Sequence, residues 1–280
     1  MITIAEALKI AAAQLLPCSE TPRLDAQLLL AHVLGTNRAA LIAQGDTWLG
    51  EKRQAAFEAL VGRRAQGAPV AYLTGMREFW SLAMAVSPAV LVPRPETEVL
   101  VELALQRLPP ERSCSVLDLG TGSGAVALAI ASERPQAQVT GTDISAAALG
   151  VATANARRLG QHNVRWRLGS WFDASAGERF DLIVSNPPYI GADDPALARL
   201  RAEPALALTP GPNGLEALSA IVAGAGEHLA PGGWLLLEHG SAQAADVSRL
   251  LAQCGFLQTR THPDHSGLPR VTLATTSSPT

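Results

Sequence analysis

The stretch Val116-Leu117-Asp118-Leu119-Gly120-Thr121-Gly122-Ser123-Gly124 decides the fold of this chain. Val116 to Leu119 reads as a short buried strand, the three glycines allow a tight turn, and Ala125 to Ser132 continues as a helix. A glycine-rich turn between a strand and a helix lets a ligand press against bare backbone. The spacing is G-x-G-x-G with Ala125 next, so the dinucleotide fingerprint G-x-G-x-x-G is incomplete and a nicotinamide-dependent oxidoreductase ranks second.

Working outward, further short apolar strands are expected at Gln138 to Thr142, Val164 to Leu168, Phe180 to Ser185, Trp234 to Glu238, Phe256 to Thr259 and Val271 to Ala274. Strands of this kind separated by helical stretches imply a doubly wound α/β domain with a mostly parallel, seven-stranded sheet covered on both faces. Ligands of such sheets bind at the carboxyl ends of the strands. Upstream the texture is helical. Thr3-Ile4-Ala5-Glu6 spells a capping box, the first helix must stop before Pro17, and Thr21-Pro22 starts a second helix that Gly35 closes. Shorter helices are expected near 38–43 and 52–65. Alternation at Leu82, Met84 and Val86 suggests a hairpin between Glu78 and Val92, and a helix resumes after Arg94-Pro95. The expected division is a helical domain over 1–75, a hairpin linker over 76–93 and the α/β domain over 94–280.

The 280 residues are 48% hydrophobic and 17% charged, enough apolar surface to bury a core. Net charge is −3, without the positive field of a dedicated nucleic-acid binder. Cys18, Cys114 and Cys254 are widely spaced and read as reduced thiols of a cytoplasmic protein. The N-terminus lacks a basic n-region and no apolar run approaches a membrane span, so secretion and membrane insertion are disfavoured.

Asp143, at the end of the second strand, can accept both hydroxyls of an adenosine ribose, or it can cap the next helix. Asp118 can hold the glycine loop by accepting its backbone amides or approach a charged end of the ligand, and the first is preferred. Trp171 can stack on an adenine ring, whereas Phe172 reads better as core. The fourth strand runs into Asn186-Pro187-Pro188-Tyr189. Two prolines stiffen this loop and leave carbonyls free, flanked by an amide and an aromatic ring. The Asn186 side-chain oxygen and the Pro187 carbonyl can accept both N–H groups of a planar substrate nitrogen while Tyr189 stacks on its plane. His262-Pro263-Asp264-His265 lacks a third ligand at metal spacing and reads as an exposed loop; no metal is expected.

With the glycine loop, this tetrad resembles the S-adenosylmethionine-dependent methyltransferases that modify planar nitrogens of glutamine or adenine. Ala71-Tyr72-Leu73-Thr74-Gly75, Glu78-Phe79-Trp80, Val92-Pro93-Arg94-Pro95-Glu96-Thr97-Glu98 and Glu203-Pro204 extend the resemblance, over nearly the whole chain, to peptide chain release factor glutamine methyltransferases. The resemblance implies a class I methyltransferase fold and S-adenosylmethionine as cofactor. It implies a cofactor loop of Gly120, Thr121, Gly122, Ser123 and Gly124, a ribose acid at Asp143 and an adenine-side aromatic at Trp171. It also implies a substrate loop of Asn186, Pro187, Pro188 and Tyr189, with Asn186 touching both ligands and Asn186, Pro187 and Tyr189 serving catalysis, and release factors as protein substrates. Ser170 stands where many relatives carry Asp and is left outside the site. The alternatives are an adenine methyltransferase acting on DNA or RNA and, more remotely, a non-catalytic ribosome- or partner-docking protein.

Overall fold

The computed structural model describes residues 2–276, which fall into two compact units divided after Met76. In the first, strand β1 (Ile2–Thr3) leads into α1 (Ile4–Leu15), followed by α2 (Pro22–Leu34), α3 (Arg38–Ala43), β2 (Trp48–Leu49), α4 (Glu51–Ala65) and α5 (Val70–Thr74). The capping box forms as expected: Thr3 Oγ1 accepts from the Glu6 amide at 3.2 Å and Glu6 Oε2 from the Thr3 amide at 2.8 Å. Gly35 closes α2 at φ +63°. Thr21 departs from expectation. Its φ and ψ of −129° and 53° lie outside the usual capping region, and its hydroxyl donates instead to Asp25. That buried carboxylate also accepts from Ser19 and from Arg64 Nε, both at 2.7 Å, which ties α2 to α4. The apolar faces meet around Leu15, Leu29, Leu30, Leu41 and Phe57. The two-residue strands β1 and β2 pair antiparallel, a contact too short to leave a periodic signal.

The second part of the chain begins with the hairpin β3 (Met76–Phe79) and β4 (Leu82–Ala85), then runs α6 (Glu98–Arg107), β5 (Ser115–Leu119), α7 (Ala125–Glu133), β6 (Gln138–Asp143), α8 (Ala146–Arg158), β7 (Val164–Leu168) and β8 (Phe180–Ser185). It finishes with α9 (Leu197–Leu200), α10 (Glu216–His228), β9 (Leu229–Glu238), α11 (Ala244–Gln253), β10 (Leu257–Pro263) and β11 (Pro269–Thr275). The seven-stranded sheet has the order β10-β11-β9-β8-β5-β6-β7. Neighbours from β7 across to β9 are parallel, and β11 lies antiparallel between β9 and β10. Side chains alternate between two cores: Val116, Leu182, Val184 and Leu236 face α6 and α7, while Leu117, Leu119, Ile183 and Leu237 face α10 and α11.

Two expectations are corrected. The hairpin is shorter than 78–92: it turns at Trp80 and Ser81, both with positive φ, and ends at Ala85. A turn closed from the Val90 amide to the Ser87 carbonyl contains Pro88, which has no N–H for a ladder, so Val90 and Val92 are buried outside the strands of the hairpin. His262 and Pro263 belong to β10 rather than to an exposed loop, and Asp264 is buried, accepting from the amides of Ser266 and Leu268 and from Arg270.

Register aligns Leu119 with Thr142 on one side and with Ser185 on the other, so the loops leaving β5, β6 and β8 open side by side. Two groups hold them, one partly and one fully buried. Trp166 of β7 fills the space beside its register partner Gly141, where an added Cβ would come within 2.4 Å of the ring, and also lies 2.9 Å from a Cβ built on Gly124. Asn155 of α8, fully buried, accepts from the Ala85 amide at 2.7 Å and donates to the carbonyls of Ala85 and Ser123 at 3.0 and 2.9 Å. One carboxamide thereby joins the hairpin to the glycine loop.

Two stability predictions arise from this arrangement. Gly141→Ala drives a methyl into the Trp166 ring and lowers unfolding free energy by about 1–3 kcal/mol, read by denaturant titration. Asn155→Ala leaves up to three backbone groups without partners and costs about 3 kcal/mol at a typical 1–3 kcal/mol per buried orphan; a loss below about 0.5 kcal/mol would show that water replaces the carboxamide.

Candidate active site

The loops at the carboxyl ends of β5, β6 and β8 enclose a cavity of about 440 Å³, lined by residues between Ala89 and Ala217. Gly120, Gly122 and Gly124 take φ of +70°, +56° and +81°, left-handed values that a side chain would strain. This turn folds the backbone of Gly120 to Ser123 along the cavity wall. Gly124 is not part of the wall; it starts α7 and gives way to Trp166.

Asp143 also lines the cavity. Its two carboxylate oxygens accept from the Gly122 amide at 2.9 Å and the Ser145 amide at 2.8 Å. The helix-capping alternative falls elsewhere, because Ser145 caps α8 by accepting from the Ala148 amide. Asp143 thus locks the glycine turn and retains free lone pairs on the cavity side. Asp118, nearly inaccessible yet part of the cavity lining, accepts from the Thr121 hydroxyl at 2.6 Å; burial pushes its carboxyl up to about 7. Trp171 lines the wall with φ +45°. Phe172 turns into the core and stacks on His228 with centroids 4.3 Å apart.

Asn186 and Pro188 contribute to the wall, whereas Pro187 is buried and Tyr189 lies outside it. The Asn186 Nδ2 donates to the Thr97 hydroxyl at 3.0 Å, which points Oδ1 away from that bond. Tyr189 Oη donates to Glu238 at 3.3 Å, and burial raises the phenol well above its ordinary range. The opposite wall comes from Pro204 to Pro210. It is held by Glu203, whose buried carboxylate accepts from the Val92 amide at 2.9 Å and pairs with Arg94.

The sequence reading missed Thr97 and Glu238 as individual positions. A Glu closing Trp234-Leu235-Leu236-Leu237 at a strand end was the available signal for Glu238, because a carboxylate at the end of a buried strand needs a reason to be there. The donor set suits an adenosine-type ligand: a carboxylate at a strand end, an aromatic face and a glycine-backed loop opening a helix. Among the described residues no cluster of metal-ligating side chains occurs, no helix is long and apolar enough to cross a membrane, and all three cysteines are free.

A methyltransferase from Pyrococcus furiosus has a similar fold, with TM-score 0.55 and 19% identity over 78% of this chain and 98% of that one. Residues 6–75 match the PrmC N-terminal domain and residues 110–267 a methyltransferase domain. A release factor glutamine methyltransferase of Xylella fastidiosa is 54% identical over 90% of this chain and 92% of its own length. One from Salmonella typhimurium is 48% identical over 91% and 92%. Identity near one half over about nine-tenths of the chain, together with the match to the PrmC N-terminal domain, makes this chain a member of the release factor glutamine methyltransferase family.

Proposed function

We propose that this methyltransferase transfers a methyl group from S-adenosylmethionine to the side-chain amide nitrogen of a glutamine in peptide chain release factors. The observation that carries this reading is the posture of Asn186, a residue of the cavity wall: its amide nitrogen is held by Thr97 while its oxygen has no hydrogen-bond partner among the described residues. An acceptor fixed in that way suits a planar NH2 group.

The backbone of Gly120 to Ser123, Asp143 and Trp171 hold the cofactor in this reading, with Gly124 shaping the loop. When bound there, S-adenosylmethionine supplies an electrophilic methyl group on a sulfonium. Asn186 Oδ1 and the Pro187 carbonyl accept the two N–H bonds of the substrate carboxamide, and Pro188 and Tyr189 flank its plane. Neither proline offers a competing N–H, and the Pro187 carbonyl accepts no hydrogen bond among the described residues. The two acceptors orient the nitrogen and stabilise the positive charge that grows on it. No general base is needed before transfer, because the alkylated amide is acidic enough to lose its proton to water. Residues 1–75 serve to recognise the release factor, consistent with a cavity wall drawn wholly from residues 89–217. Residues 76–93 form the linker and 94–280 the catalytic part. Release factors act on ribosomes, which puts the reaction in the cytoplasm.

Tritiated S-adenosylmethionine and purified release factor test the reading, with label expected in the factor's glutamine. Asn186→Ala should lower single-turnover transfer by about a hundred- to a thousandfold, the scale for one oriented contact at a reacting centre. Its cofactor affinity should change far less. Asp143→Ala should do the reverse, weakening cofactor binding in calorimetry by about 1.5–3 kcal/mol. Near-wild-type turnover of Asn186→Ala would reduce the tetrad to a structural turn.

A further inference from the structure

Beneath the Asn-Pro-Pro-Tyr loop lies a carboxyl that neither the cavity wall nor the proposed chemistry uses. Glu238 ends β9, one residue beyond Leu237, which pairs in register with Ser185 just before the loop. Only 1% of its surface is exposed. Oε1 accepts from the Tyr189 hydroxyl at 3.3 Å, while Oε2 is buried with no hydrogen-bond partner among the described residues. The Thr97 hydroxyl favours the charged form of the same carboxyl, although no hydrogen bond joins the two as they stand. That hydroxyl is also the group that accepts from Asn186 Nδ2. Having accepted from Asn186, Thr97 still has a hydrogen to donate, and Glu238 is the acceptor beside it.

We propose that Glu238 is a positioning residue for methyl transfer, holding Tyr189 directly and Asn186 through Thr97 from below the substrate loop. The inference rests on the role assigned above to Asn186. An ionised carboxylate is acceptor-only and can receive both hydroxyls; a protonated one must turn a donor toward a hydroxyl. Ionisation therefore tightens both contacts, because hydrogen bonds to a charged acceptor are shorter and roughly twice as strong as neutral ones.

The charges around it determine where that happens. Burial and the nearby Glu96 raise the Glu238 carboxyl to about 7, against the Thr97 and Tyr189 hydroxyls and the Arg270 guanidinium, which favour the charged form. Arg270 is itself paired with Asp264, at 3.1 Å, so its charge is shared. His239, next in the chain, is kept neutral by burial and bonds Thr272 and the Gly240 carbonyl. A carboxyl raised in this way is mostly protonated below about 7, so the transfer rate should climb between pH 6 and 8 as it ionises.

The test is single-turnover methylation of release factor at saturating cofactor across pH 6–8, with calorimetric cofactor binding alongside. Glu238→Gln should slow transfer by about 10- to 100-fold while the cofactor dissociation constant moves less than about threefold, and the rising limb should disappear. Thr97→Val, which leaves the carboxyl in place, should slow transfer similarly, and the double variant should be no slower than the worse single one. Thr97→Val carries the test should Glu238→Gln fail to fold. Wild-type rates in either folded variant, additive losses in the double variant, or a flat wild-type profile overturn the proposal. So does a slowed Glu238→Gln that keeps the limb, which would assign the titration to Asp118. Wild-type protein that labels no release factor at any pH overturns the functional reading itself, an outcome distinct from an active wild type indifferent to Glu238.

Discussion

The left-handed turn after β5 is the constraint from which the site is built. Gly120, Gly122 and Gly124 reverse the chain within five residues, and each adopts a φ that L side chains avoid. The turn closes one bond of its own, the Gly124 amide donating to the Thr121 carbonyl at 2.8 Å. The rest of its order is borrowed from outside: Asp143 accepts the Gly122 amide, Asp118 the Thr121 hydroxyl, Asn155 donates to the Ser123 carbonyl, and Trp166 fills the space under Gly124. Four side chains from β5, β6, β7 and α8 thus share the work of fixing one loop, which is how backbone can be pre-organised for a ligand.

A second pattern concerns buried acids. Asp118 and Glu238 end or nearly end their strands, both are buried, and burial raises both to about 7. Each accepts a hydroxyl on the side facing a functional loop, Thr121 in one case and Tyr189 in the other. Desolvating a carboxyl is expensive, and here the cost is met where a loop needs a fixed acceptor. Glu203 differs because Arg94 and the Val92 amide satisfy it. Its task is to secure the wall from Pro204 to Pro210.

The alternation of buried strands with helices, the glycine turn, the capping box and the proline-stiffened tetrad could all be read from local sequence, since each is dictated by steric or hydrogen-bonding rules acting within a few residues. The same locality explains the errors. Val90 and Val92 are apolar like strand residues but are buried by packing, and Thr21 sits at a helix start with its hydroxyl drawn away by Asp25. Which partners meet across distant segments only the tertiary structure decided. Asn155 reaches Ala85 across 70 positions, Asn186 reaches Thr97 across 89, and Glu238 meets Tyr189 across 49. Sequence spacing carries no trace of such bonds, because they depend on the order in which parallel strands are laid side by side and on where their carboxyl ends come level.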